Sequence, residues 1–141
     1  MGFDFSNLAA ADEPVWFVLT HPTTGADLER NGKPVRLAIL GPDTAKMVAF
    51  EARIADRRLQ QAGRTGKLTL TAAEIEAEGI ERAAASIAGW ENFALGGAEI
   101  VHSETEAKGL IGKFRWLRDF WEEKYRQRGN FLGTAASTPK K

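Results

Sequence analysis

The sequence predicts an α+β fold that is mainly α, with a small N-terminal antiparallel β-hairpin or sheet packed on about four α-helices. Two apolar runs rich in β-branched and aromatic residues, 15–20 and 35–40, are typical of short strands. After Gly41 the apolar period changes from two to 3.6, which indicates amphipathic helices. A chain of 141 residues with 43% hydrophobic content can bury one modest core. We therefore predict a single domain over residues 1–132 and a disordered tail over 133–141.

The N-terminal part of the chain contains the predicted hairpin, at about 15–40. Residues 1 to about 13 are interpreted as a loose arm whose Phe3 and Phe5 rings pack on the core. Pro22 and Gly25 indicate a turn after the first strand. Asn31-Gly32 indicates a second turn, because this dipeptide accepts two successive positive φ angles. A sheet of two or three strands follows, and it must pack on other elements because a lone hairpin is marginal in water.

Four helices are predicted, at about 44–62, 71–88, 103–111 and 113–128. Asp43 or Thr44 can cap the first, and T-x-x-E and S-x-x-E capping boxes begin the second and third. Gly63 and Gly129 are predicted to end the first and the last. At the end of the second helix, Gly89 is predicted to take a left-handed conformation, with Trp90 folding back in a Schellman ending. Gly89, Trp90 and Phe93 are thus predicted to form a structural corner.

Composition excludes several classes of function. The 19 basic and 19 acidic side chains give no net charge, whereas nucleic-acid-binding proteins usually carry a basic excess. A local basic cluster (Arg53, Arg57, Arg58, Arg64 and Lys67) has interleaved acids and no aromatic stacking platform. The absence of cysteine excludes disulfides and thiolate chemistry. No signal peptide is recognised, and no apolar stretch approaches the roughly 20 residues that span a bilayer. We expect neither nucleic acid nor membrane as a partner.

No arrangement of residues in the sequence is typical of an active site. The two histidines, His21 and His102, lie in a turn and just before a helix cap, and no motif places an orienting group beside them. Four carboxylates fall on more than one face of a helix and are interpreted as solvated: Glu74, Glu76, Glu78 and Glu81. The glycines do not have the spacing of a phosphate-binding loop. We predict no catalytic, cofactor-binding or metal-binding residue, and a protein that is not an enzyme.

The aromatic residues of the last helix are the candidate functional residues. Trp116, Phe120, Trp121 and Tyr125 cover more than one stripe of the helix. Two interpretations remain open. The rings belong to the core, or those left uncovered bind a protein partner, since Trp and Tyr dominate binding hot spots.

The order of these features resembles the tail assembly chaperones of long-tailed bacteriophages and prophages. The resemblance covers most of residues 15–132. It comprises the strand and turn at 19–25, the Leu-Gly-Pro-Asp-Thr run at 40–44 before an Arg-rich helix, and the Ile-Ala-Gly-Trp-Glu-Asn segment at 87–92. The acidic helix start at 103–106, the aromatic helix and a closing Gly-Asn-Phe at 129–131 follow in the same order.

The resemblance implies a non-enzymatic role without cofactors. Such proteins coat the long tape-measure protein, help recruit tail-tube subunits and leave before the virion is complete. We therefore expect the tape-measure protein as partner, the host bacterial cytoplasm as location, and absence from the mature virion. In many members a ribosomal frameshift appends a second domain that meets the tail-tube protein, and Lys140-Lys141 fits an A-rich slippery codon run. Self-association into a homo-oligomer is left open. The alternative is a structural virion protein, such as a tail-completion or connector subunit.

Overall fold

A computed structural model describes residues 4–67 and 69–133, and its fold is the predicted one, α+β and mainly α. The strands are β1 (Val15–Val18), β2 (Glu29–Arg30), β3 (Lys33–Pro34), β4 (Arg36–Ile39), β5 (Ile87–Glu91), β6 (Ala94–Leu95) and β7 (Ala98–Glu99). The helices are α1 (Ala45–Thr65), α2 (Ala72–Ser86), α3 (Glu104–Lys113) and α4 (Arg115–Arg126). Short 3-10 turns lie at Phe5–Leu8 and Arg128–Phe131.

The main sheet has three antiparallel strands in the order β1-β4-β5, and β2-β3 and β6-β7 are separate two-stranded hairpins. The predicted sheet near the N-terminus is therefore confirmed, but its third strand comes from beyond α2. Val15, Phe17, Leu37, Ile39 and Ile87 are buried on its inner face. They form the core together with residues of α3 and α4.

The predicted helix at 71–88 ends early, and the prediction of a Schellman ending at Gly89 is wrong. The helix ends at Ser86, Ile87 is extended, and Gly89 has no positive φ. In β5, Gly89 pairs with Ala38 and Trp90 pairs with Leu37. The physical reason is tertiary: β4 offers an unpaired edge, and its ladder hydrogen bonds compete with the local helical pattern.

Gly89 leaves room for an aromatic ring on the outer face of the sheet. A Cβ atom at Gly89 would lie 3.8 Å from Cη2 of Trp16. Trp16 pairs across the strands with Ala38, which is buried. The guanidinium of Arg36 lies 5.0 Å from the centre of the Trp16 ring and makes a bidentate ion pair with Glu91. Two small residues side by side thus allow Trp16 to cover this face.

The predicted starts of the first three helices are confirmed by their caps, whereas α4 begins without a side-chain cap. The Thr44 hydroxyl accepts from the Met47 N–H, and Thr71 and Glu74 form a complete capping box. The Ser103 hydroxyl accepts from the Glu106 N–H. The helix ends are less well predicted, because α1 continues through Gly63 to Thr65 and stops at a left-handed Gly66 with φ 73°.

The bounds of the last two helices differ from the predicted ones. Phe114, in an extended conformation, separates α3 from α4. The last helix, predicted to reach about 128, ends at Arg126, and Gly129 lies in a 3-10 turn. Phe131 then enters the core, edge-on to Phe17 at 6.1 Å. Apart from Gly133, the predicted disordered tail falls outside the described residues.

The N-terminal arm is attached through its backbone, so the predicted anchoring role is wrong for Phe5. This side chain is 83% exposed, and Phe3 lies outside the described residues. Ala10 forms a β-bridge with Leu132, and the Gly133 N–H donates to the Ala9 carbonyl at 2.9 Å. Backbone pairing with the C-terminal segment therefore replaces the predicted packing of the Phe5 ring.

Two arginines of the predicted basic cluster pair with carboxylates of α2. Arg57 contacts Glu81 at 3.2 Å, and Arg58 hydrogen-bonds Glu78, which raises the pKa of Arg58. Glu78 is buried, so its assignment to a solvated face is wrong. The guanidinium of Arg58 supplies the hydrogen bonds that a buried carboxylate needs.

Candidate interaction surface

The four predicted partner-binding residues lie in two different environments. Phe120 is 9% exposed and Trp121 is 4% exposed, so both rings belong to the core. Trp116 and Tyr125 are half-buried. The interpretation of Phe120 and Trp121 as surface anchors is therefore corrected, because α4 packs these rings against the rest of the domain. Trp116 and Tyr125 remain available as candidates.

Trp121 is fixed by a buried chain of hydrogen bonds. Its indole Nε1–H donates to the Ser86 hydroxyl at 2.9 Å, and that hydroxyl donates to the Leu40 carbonyl at 2.7 Å. The Leu40 N–H in turn donates to the Ser86 carbonyl. One fully buried serine thereby joins α4, the end of α2 and the end of β4. This arrangement satisfies each of the side-chain polar groups involved, as buried polar groups require.

Tyr125 stacks on Trp121 with ring centres 4.6 Å apart and lies edge-on to Phe131. Partial burial raises the pKa of its phenol from 10.0 to about 12, because a phenolate loses solvation there; the negative charge of Glu51 acts in the same direction. The ring also borders a groove of about 580 Å³ between α2 and α4. That groove has a charged rim, including the Arg118–Glu76 ion pair at 3.0 Å, so it is less suited to an apolar ligand.

The raised pKa gives a testable pH dependence. Tyr125 is the single tyrosine of the chain, so tyrosinate absorbance reports on it alone. We expect the folded protein to titrate near pH 12 and the unfolded chain near 10. A raised folded pKa means that this contribution to stability is complete below pH 10 and is lost as the pH rises toward 12. Between pH 10 and 12, Tyr125→Phe should lose less stability than the unmodified protein. Ionisation of Tyr125 in the folded protein near the ordinary pKa of 10.0 would contradict the prediction.

The predicted corner residues do come together, although not at a helix end. Trp90 stacks on Phe93 with ring centres 4.7 Å apart, and its Nε1–H donates to the Ile100 carbonyl at 2.8 Å. His102 packs edge-on to Trp90 and donates from Nε2 to the Ile87 carbonyl at 3.1 Å. Gly89 precedes Trp90 on β5, and a Cβ atom at this position would face Trp16 on the other side of the sheet. The corner joins β5 to the loop that leads into α3.

Both histidines have structural roles. Nδ1 of His21 accepts hydrogen bonds from the backbone N–H groups of Thr23 and Thr24 at 3.1 and 3.2 Å, so this side chain stabilises the predicted turn. His102 is held by Trp90 and the Ile87 carbonyl. Within residues 4–67 and 69–133, no group of three or more His, Asp or Glu side chains could hold a metal ion. In the same residues, no helix is long and apolar enough to cross a membrane.

An open apolar cleft of about 400 Å³ lies between the two small hairpins and the junction of α3 and α4. Its apolar lining comprises Leu19, Leu28, Val35, Phe93, Ala94, Leu95, Ile100, Leu110, Phe114, Trp116 and Leu117. Arg30 joins the two hairpins, because it donates to the Gly97 carbonyl at 3.4 Å and lies 3.9 Å from Glu99. The charged groups therefore stay at the rim, and the interior of the cleft is apolar.

The cleft brings the predicted partner-binding residue Trp116 and the predicted corner residue Phe93 together with residues that the sequence did not assign to a site. Leu28, Leu95 and Phe114 belong to this second group. In the sequence, Asn31-Gly32 indicates the turn of the first hairpin. Gly96-Gly97, with φ of 61° and 85°, forms the turn of the second. Nothing local indicates that the two hairpins face the same helix junction.

Comparisons with protein-family models, with curated proteins and with solved structures give no match for this chain.

Proposed function

We propose that this protein is a non-enzymatic tail assembly chaperone of a phage or prophage, which binds an apolar segment of the tape-measure protein in the cleft between its hairpins and the α3–α4 junction. The observation that carries the proposal is the apolar lining of this cleft, with Trp116 in its wall. The resemblance in motif order supplies the identity of the partner.

The chemistry of the cleft suits apolar side chains on a partner helix. Its volume of about 400 Å³ falls within the range of roughly 300–1,000 Å³ that is usual for ligand sites. Helix-in-groove recognition places apolar residues of one helical face into such a groove. A tape-measure protein is a long helix with exposed apolar faces, so each such face offers side chains of this kind.

The walls of the cleft also suit a partner that must later be released. Each hairpin has strands of only two residues, Glu29–Arg30 with Lys33–Pro34 and Ala94–Leu95 with Ala98–Glu99. Such short hairpins contribute little stability of their own, so opening them costs little free energy. An assembly chaperone needs this property because it leaves before the virion is complete.

The second proposed partner, the tail-tube protein, is reached through a frameshift-extended form, as in the family that the sequence resembles. In this proposal the cleft accounts for binding of the tape measure, and the appended domain accounts for binding of the tail-tube protein. If the protein were instead a structural tail subunit, mass spectrometry of purified particles would detect it in stoichiometric amounts. The chaperone proposal predicts that it is absent.

A substitution in the cleft wall tests the proposal directly. Leu95 is a half-exposed leucine in the wall, and Leu95→Glu places a charge where an apolar side chain would bind. After co-expression with the tape-measure protein, we expect Leu95→Glu to reduce co-purification at least tenfold, which corresponds to about 1.4 kcal/mol. Soluble yield of the tape-measure protein should fall in parallel.

The matched control is Leu8→Glu, the same change at an exposed leucine in the N-terminal 3-10 turn that lines neither the cleft nor the exposed side of α1. It should leave co-purification unchanged. Circular dichroism should show that both variants are folded. Equal binding by Leu95→Glu and the unmodified protein, or failure of the unmodified protein to bind the tape measure at all, would refute the proposal.

A further inference from the structure

One apolar line runs along the exposed side of α1. Ala45, Val48, Ala52, Ala55, Leu59 and Ala62 follow each other at alternating spacings of three and four residues. Val48 is 57% exposed and Leu59 is 65% exposed, although both are large aliphatic side chains. The opposite face of the helix holds its buried residues, Met47, Phe50 and Ile54. We refer to the six outward residues as the α1 seam.

The spacing of the α1 seam is that of a coiled coil. Residues alternating by three and four repeat every seven, which places one apolar line along a helix for a partner helix to pack against. The seam covers about 26 Å of helix axis at 1.5 Å per residue, and none of its six positions carries a charge. A single amphipathic helix that only faced its own core would not need this second apolar line.

We propose that the α1 seam binds the α1 seam of a second copy of this chain, with the two helices antiparallel about a two-fold axis. Such an axis between residues 53 and 54 sets Val48 opposite Leu59 of the second copy. The same axis sets Ala52 opposite Ala55 and Ala45 opposite Ala62. The two large residues thus meet each other and the small residues meet in the centre, so that one surface complements itself as a two-fold interface requires.

Charge complementarity selects both the partner and the orientation. Glu51 and Arg58 flank the seam on the same side, one heptad apart, and their side chains are 44% and 45% exposed. In the antiparallel pair, Glu51 of one copy lies next to Arg58 of the other, and this contact occurs twice. A parallel pair would instead place Glu51 beside Asp56 of the other copy, where the carboxylates repel.

These charges already belong to intrachain ion pairs that hold them in place. Glu51 accepts from Arg82 at 2.6 Å, and Arg58 pairs with the buried Glu78. Contact between two copies therefore joins ordered ion pairs into a network. The contacts between Glu51 and Arg58 favour the antiparallel orientation but add little affinity, because ion pairs at this exposure contribute little free energy. Affinity comes from Val48 and Leu59, which lose their exposure.

Cysteine cross-linking tests the orientation, and the chain has no cysteine of its own. Val48→Cys and Leu59→Cys are prepared separately, and each is oxidised alone and in an equal mixture. The antiparallel pair predicts a disulfide between the two different variants, at least tenfold more abundant than either homodimeric disulfide. Like residues in that pair are about 16 Å apart along the axis, beyond the reach of a disulfide. Disulfides in the separate samples only, or in none of the three, would overturn the proposal.

Sedimentation velocity over a series of concentrations tests the association itself. We expect the unmodified protein to pass from monomer to dimer as concentration rises, and Leu59→Glu to raise the dissociation constant at least tenfold. Leu95→Glu serves as the control here, because its position is in the cleft and away from α1. A protein that stays monomeric throughout, or a dimer that Leu59→Glu leaves intact, would overturn the proposal. Neither result depends on binding of the tape-measure protein, so the two proposals can fail separately.

Discussion

Replacing Trp121 by alanine is expected to lower the free energy of unfolding by about 3–5 kcal/mol, the range for removing a large aromatic from a core. Its ring is buried, stacks on Tyr125 and donates to the Ser86 hydroxyl at 2.9 Å. A domain of this size is stable by roughly 5–15 kcal/mol, so the loss is a large fraction of the total. Chemical denaturation followed by circular dichroism measures it.

Trp116→Ala is the matched control for this substitution. The Trp116 ring is half-buried in the wall of the cleft. Its removal loses less buried apolar area, so we expect the free energy of unfolding to fall by less than about 2 kcal/mol. Trp116→Ala should weaken binding of the tape-measure protein more than Trp121→Ala does, because Trp116 can contact a ligand directly. A Trp121→Ala variant as stable as the unmodified protein would show that the aromatic face of α4 is a surface rather than part of the core.

The hydrogen-bond chain can be separated from the packing of the ring. Ser86→Ala removes the acceptor of the Trp121 Nε1–H and a donor to the Leu40 carbonyl, while the indole stays in place. Leaving a buried donor unsatisfied costs about 1–3 kcal/mol. We expect the effects of Ser86→Ala and Trp121→Phe to be less than additive, since both changes remove the same hydrogen bond.

Gly41→Ala is expected to destabilise the protein by about 1–3 kcal/mol through overpacking. An added Cβ atom would lie 2.5 Å from Cγ and 2.7 Å from Cβ of Phe131. These atoms are close to the backbone of Phe131, so a rotamer change does not relieve the contact. The ring is also held edge-on by Phe17 and Tyr125. The cause is steric, because Gly41 has no positive φ.

Two variants make this prediction specific. Phe131→Ala removes the ring atoms that the new methyl group meets, so Gly41→Ala should cost less in that background, with a coupling energy of roughly 0.5–3 kcal/mol. Gly89→Ala is the matched glycine control. Its Cβ atom would make only an ordinary contact with Trp16 at 3.8 Å, and we expect stability within about 0.5 kcal/mol of the unmodified protein. Equal losses at the two glycines would contradict the steric explanation.

The two proposed surfaces involve different parts of the molecule. The cleft is lined by residues from the strands, hairpins, α3 and α4, and none of its lining residues comes from α1. A dimer formed through the α1 seam would therefore leave both clefts open. Two clefts on one dimer could engage two segments of the same tape-measure helix, which raises the effective concentration for the second binding event.

Elements whose signals are local can be predicted from the amino-acid sequence. The capping interactions of Thr44, Thr71 and Ser103 depend on side chains within three residues of each helix start, so helix starts were predictable. The first two main-sheet strands and their turns also follow from short patterns. Trp116 is a candidate because the aromatic residues of the last helix cover more than one stripe.

The pairing of the elements depends on tertiary contacts. Ile87–Glu91 is a strand because it pairs with the open edge of β4. The local sequence does not indicate this pairing. Phe120 and Trp121 became core residues because α4 packs them inward, and Glu78 was buried because Arg58 on another helix pairs with it. The cleft likewise depends on two distant hairpins meeting one helix junction. Local propensities act over a few residues, whereas burial is set by contacts between segments that are far apart in the chain.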